Sequence, residues 1–132
     1  MMSLLLLLVL TITRPDPTVT PGVARPLTTA EVCTTRWGRD RRHVTIAMKK
    51  SVAAAYGVRW VERSNYEFDH LIPRELGGAD DVRNLWPQTW ANARVKDRRE
   101  NALHRAVCAG TMSLTAAQDE MRRWGRAEGR RR

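Results

Sequence analysis

Two ionisable residues, Asp69 and His70, stand side by side inside the alternating, strand-like run "YEFDHLI" at residues 66–72. A carboxylate is a hard oxygen donor suited to Mg²⁺, Mn²⁺ or Ca²⁺. An imidazole titrates near neutrality and can take a proton from water. Asn84 adds an uncharged oxygen and two donors, and the cations Arg94, Lys96, Arg98 and Arg99 follow in one short stretch. A metal to stabilise a leaving oxyanion, a base to activate water and cations to hold phosphate are the parts of phosphodiester hydrolysis. The plain alternative is a surface pair or a hydrogen-bonded core histidine. On residue types and spacing alone that alternative is favoured, because short motifs arise easily. Regular strand alternation would also send Asp69 and His70 to opposite faces. They serve one site only where the strand bends, and Pro73 gives it a reason to bend.

The elements that must position these residues follow from punctuation and periodicity. Thr28 and Glu31 form a capping box that opens a short helix through Cys33. A charged connector, residues 36–43, leads to a second helix with Thr45 as N-cap. There Met48, Val52 and Ala55/Tyr56 fall at helical spacing, and Gly57 is the stop. Residues 58–65 read as a loop or short strand. Tyr66, Phe68, His70 and Ile72 share one face of a strand that Pro73 ends. Gly77-Gly78 makes a turn, an acidic loop follows, and Asn84–Trp86 reads as a second short strand. The longest helix runs from Thr89 or Trp90 to Ala109, with Val95, Ala102, Leu103, Ala106 and Val107 on its apolar side. A last helix starts at Ser113, and Leu114, Ala117, Met121 and Trp124 form a core stripe. The fold class is α+β.

The 132 residues favour one domain. Residues 1–24 read as an apolar segment followed by a Pro-rich arm, 28–124 as the folded domain and 125–132 as a basic tail. The run at 1–12 has the length of a signal-peptide core and is too short to span a bilayer; a misassigned start or a buried strand is the alternative. A net charge of +9, from 23 Lys and Arg against 14 Asp and Glu, suits a polyanion partner, or simply a solvated surface. No long basic amphipathic helix points to a membrane surface. The two cysteines, Cys33 and Cys108, exclude a four-thiolate zinc site within one chain. In an exported protein they read as a disulfide, in a cytoplasmic one as small buried thiols. His104 and Cys108, four apart on a helix, are a weaker zinc pair. His43 and His104 read as surface or packing histidines. Trp86 and Trp90 flank the Asp-His pair, and packing is favoured over stacking on a base.

"YEFDHLIPRELGGADDVRNLWPQ", followed by "KDRRENALHRAVCAG" and "SLTAAQ", resembles the HNH endonuclease family. The resemblance covers roughly Thr20 to Trp124 and is closest to a bacterial branch with "DHLIP-x-ELGG" and "NLWP" in this order. It implies a ββα-metal fold: a hairpin–helix core holding one divalent ion, with flanking helices added. His70 matches the general base and Asp69 a metal ligand. Asn84 matches the middle asparagine of the catalytic set, which fixes the loop and the base. The last family ligand falls at Ala93 here, so Asn92 or water takes its place, with Asn84 and Glu100 as further candidates. Glu100 is also set for an i, i+4 salt bridge with Lys96. Arg74, Arg94, Lys96 and Arg98 would meet nucleic acid, DNA rather than RNA. The ion would be Mg²⁺ or Mn²⁺, with Zn²⁺ or Ni²⁺ as alternatives. Many members of that branch look exported, which implies a secreted or periplasmic rather than cytoplasmic location and a Cys33–Cys108 disulfide. No membrane anchor is expected after processing. Inside its own cell such an enzyme needs restraint, by export or by an inhibitor or immunity protein. The competing readings are a nucleic-acid-binding module that kept the fold and lost turnover, and a structural protein in which the Asp-His pair braces the hairpin.

Overall fold

A computed structural model describes residues 14–125 of the chain. The apolar run at 1–12 and the tail at 126–132 lie outside the described residues. The fold is α+β: α1 (Thr29–Thr34), α2 (Ile46–Ala55), β1 (Tyr66–His70), β2 (Leu85–Thr89), α3 (Trp90–Cys108) and α4 (Leu114–Arg122). Side-chain oxygens close three of the helix starts. Thr28 accepts from the Glu31 amide, Thr45 from that of Met48, and Ser113 from that of Ala116. Each satisfies an amide that the first turn leaves without a partner. Residues 58–65, expected as loop or strand, instead end in a 3₁₀ turn, Trp60–Asn65.

β1 and β2 pair antiparallel, with Asp69 opposite Trp86 and His70 opposite Leu85. The long connection between them contains two 3₁₀ turns, Arg74–Leu76 and Val82–Asn84. Asn84 thus precedes the second strand rather than opening it. Gly78 is obligatory in this loop, since a Cβ there would lie 1.7 Å from the Ile72 carbonyl oxygen.

The main core joins the loop to the last two helices through Ile72, Leu76, Leu103, Val107, Ala117 and Met121. Leu114 and Trp124 pack against it, completing the expected α4 stripe. A second cluster, Ala53, Val58 and Tyr66, seats α2 on the hairpin. On α3 the apolar side differs from expectation: Val95 is 51% exposed, and the buried stripe is Ala93, Lys96, Glu100, Leu103 and Val107.

The Pro-rich arm is docked, so the folded unit begins before Thr28. The Gly22 amide donates to the Arg83 carbonyl, Arg25 to Gly77, and Ala79 back to Val23. The Thr20 hydroxyl donates to the Leu85 carbonyl at 2.9 Å. Pro leaves such an arm extended, and the free edge of the loop supplies its partners. A Cys33–Cys108 disulfide ties α1 to the end of α3 across 75 residues of sequence. It uses the Cys108 sulfur and so rules out a His104–Cys108 zinc pair. Among the described residues no helix is long and apolar enough to cross a membrane.

Candidate active site

The site lies where β1 meets the first half of α3. Asp69 and His70 are consecutive paired residues of β1, which bends only from Leu71 onward, yet they border the same space. Both line one cavity of about 250 Å³, together with Glu67, Asp97 and Arg42. Glu67 and Asp69 share a strand face by the period of two.

Lys96 is the main correction to the sequence reading. Expected on a nucleic-acid surface, it has no exposed area at all. Its place on the buried stripe of α3 forces it inward. Nζ donates to the His70 carbonyl at 2.7 Å and to the Glu100 carboxylate. It also stands 2.8 Å from Asp69 Oδ2. That last contact is an ion pair, closed on a buried carboxylate oxygen. Burial would lower the Lys96 pKa, but the charges of Asp69 and Glu100 outweigh it and hold it raised. The Glu100 carboxyl is pushed up to about 8 by burial, which Lys96 only partly offsets, with Asp69 adding to the rise. The expected Lys96–Glu100 pair is therefore present, inside the protein.

His70 is 4% exposed, and its Nε2 lies 2.8 Å from Asp80 Oδ1. Burial holds the His70 pKa below its ordinary value, against the Asp80 hydrogen bond and the charges of Asp69 and Asp80. Burial raises the Asp80 carboxyl, but the His43 amide, the His70 ring and the Arg74 charge together hold it below the usual range. Asp80 is thus an ionised acceptor and Nε2 its donor. The lone pair of the neutral ring is then on Nδ1.

Asn84 is fully buried, and its amide is used up. Oδ1 accepts from the Ile72 and Val23 amides, and Nδ2 donates to the Ile72 and Ala79 carbonyls. Two donors and two lone pairs are all it has. It clasps the arm and both ends of the loop, so it is a positioning residue. Neither direct catalysis nor metal ligation is open to it. Asn92, the candidate third ligand, does not line the cavity of Asp69 and His70. It sits one residue off the buried stripe, beside buried Ala93.

Of the expected phosphate cations, Arg94 and Arg98 are exposed on α3. Arg74 lines the cavity but is engaged by Asp40, by the Arg41 carbonyl at 2.9 Å and by Asp80 at 3.3 Å. Four cavity or neighbouring residues escaped the sequence reading: Arg42, Glu67, Asp80 and Asp97. Glu67 stands two before Asp69, so strand period could have found it. Asp97 follows Lys96 directly, and nothing local marked Asp80. Burial, then the charge of Asp69, raises the carboxyls of Glu67 and Asp97. Their oxygens and those of Asp69 are the donors a hard cation would find here. Among the described residues, no three of His, Cys, Asp and Glu converge closely enough to hold a metal ion by themselves.

The chain matches no protein-family model, and neither curated proteins nor solved structures provide a match.

Proposed function

We propose that the chain is a metal-dependent endonuclease of the HNH type, with β1, β2 and α3 as its ββα unit. One observation carries this reading: His70 shares a cavity with Asp69 while Asp80 holds its Nε2 at 2.8 Å. With Nε2 engaged by Asp80, Nδ1 is the ring nitrogen left to deprotonate a water. Asp80 fixes the tautomer and stabilises the imidazolium as it forms. Arg42, exposed at the cavity wall, offers a cation to the phosphate, and Arg94 and Arg98 extend that attraction along α3.

The donor set suits some ions better than others. Structural zinc takes four protein ligands and catalytic zinc three, whereas Mg²⁺ keeps several waters and needs only one or two carboxylates. The oxygen-only set fits Mg²⁺ or Mn²⁺ held by Asp69 with Glu67 or Asp97. Such an ion would supply positive charge for the oxygen that leaves phosphorus. The disulfide supports export to an oxidising compartment, outside the cell or in a periplasm.

The contact of Lys96 with Asp69 favours a second reading. An ammonium already placed there makes the metal dispensable for folding, which suits a module that binds nucleic acid without cutting it. Supercoiled-plasmid cleavage by the full-length chain separates the two. The enzyme reading expects nicking with Mg²⁺ or Mn²⁺ that stops in EDTA and in His70→Ala. Salt-sensitive binding with no cleavage under any metal would establish the binding module instead.

A further inference from the structure

Beside the Asp69–His70 cavity runs a larger groove of about 450 Å³, and the two share Arg42 and Glu67 as a common wall. That volume lies within the roughly 300–1,000 Å³ usual for ligand sites. Its lining is aromatic, from Trp60, Phe68 and Trp90, and cationic, from Arg42, Lys49 and Arg63. Trp90 is 56% exposed. It is nevertheless pinned, because its Nε1 donates to the Ser64 carbonyl at 3.0 Å. That bond ties the first residue of α3 to the turn before β1. Trp60 lies 6.2 Å from Phe68, with Lys50 Nζ 5.5 Å and Arg63 Cζ 5.0 Å from its ring.

Trp90 does not stand alone: Trp60 and Phe68 line the same groove, and a contiguous aromatic surface of this kind marks an interaction site. The cationic rim and the +9 charge of the chain point to a polyanion as the partner. An aromatic face accepts a base of any sequence, and adjacent cations take the phosphate beside it. Inside a duplex the base faces are covered by their neighbours, so only an unpaired base can lie on the ring. We infer that this groove is a subsite for an unpaired nucleotide, with its base stacked on Trp90 and its phosphate on Arg42 and Arg63. The chain then prefers single-stranded nucleic acid and leads the strand across the shared wall toward His70. This inference rests on the nuclease reading for its direction along the strand, though not for binding.

Binding of the full-length chain to a labelled oligothymidylate and to a blunt duplex of equal length, in EDTA at fixed low salt, tests it. Trp90→Ala is expected to lose about tenfold on the single strand, the scale of one base–aromatic contact, and to leave the duplex nearly unchanged. Trp90→Phe keeps a ring and should retain most of the affinity, while Trp90→Leu keeps bulk without a π face and should not. The Phe and Leu pair decides the matter even if the Ala variant melts early. Equal losses on both substrates, or no loss in Trp90→Leu, would overturn the subsite. Plasmid nicking measured in parallel separates the two ideas. If nicking persists while Trp90→Leu binds like wild type, the subsite falls and the nuclease stands. If wild type never nicks but Trp90→Leu selectively loses the single strand, the nuclease falls and the subsite stands.

Discussion

The two halves of α3 share one buried stripe but differ in chemistry. Leu103 and Val107, in the second half, close on Ile72, Leu76, Ala117 and Met121, and Cys108 is bonded to Cys33 just beyond them. Lys96, in the first half, and Glu100, at the middle of the helix, bury an ammonium and a carboxyl against Asp69 and the backbone of His70. Hydrophobic replacements of a buried ion pair are often neutral or stabilising, by about 1–4 kcal/mol. Stability alone therefore gives no reason for the charged half. What that half does provide is a fixed position for the strand end that carries Asp69 and His70. The comparison teaches that one helical period can hold a core at one end and orient a reactive pair at the other.

The largest expected effect tests the reactive pair itself. His70→Ala should reduce metal-dependent cleavage by about 10²–10⁴-fold, the usual contribution of a general base. Asp80→Asn should lie between that variant and wild type, because it loosens the ring without removing it. Steady-state nicking rates on one plasmid rank the three. If Asp80→Asn cuts as fast as wild type, Asp80 does not orient the base.

Next come two substitutions on the same stripe. Lys96→Met leaves the Asp69 carboxylate without its cation and should cost about 3–5 kcal/mol in denaturant unfolding. It should also lower activity per folded molecule, since Lys96 holds the His70 carbonyl. Leu103→Ala should cost about 2–5 kcal/mol through lost burial and a cavity, with activity per folded molecule unchanged. Equal effects of the two on the activity of folded protein would erase the division between the halves.

Local signals made much of this fold legible in the sequence. Thr28, Thr45 and Ser113 cap their helices through bonds spanning three residues, which a short pattern can reveal. The α4 stripe was legible because its residues are apolar by type as well as by position. On α3 type and position disagree. Val95 looks like core and is exposed, while Lys96 looks like surface and is buried. The phase Ala93, Lys96, Glu100, Leu103, Val107 was present in the spacing, but two charged members hid it. Asp80 was illegible for another reason. Its partner His70 is ten residues away across the loop, and only the folding of that loop brings them together. The docked arm belongs to the same class, since Thr20 meets Leu85 over 65 residues of sequence.

The smallest expected effect falls on the outer face of α3, beyond both halves of the stripe. Arg94 is exposed, and it lines a shallow surface shared with Trp90, Glu67 and Asp97. A cation there contributes through counterion release and not through geometry. Arg94→Ala should weaken nucleic-acid binding about equally for all sequences and reduce the slope of log affinity against log salt by about one. Its unfolding free energy should stay within about 0.5 kcal/mol of wild type, as for other surface changes. A salt titration of oligonucleotide binding measures the slope directly. An unchanged slope would mean that phosphate does not follow this face of α3, and the path of the strand would then lie on the Arg42 side alone. A slope change accompanied by lost stability would instead place Arg94 with Lys96, as part of the helix's support.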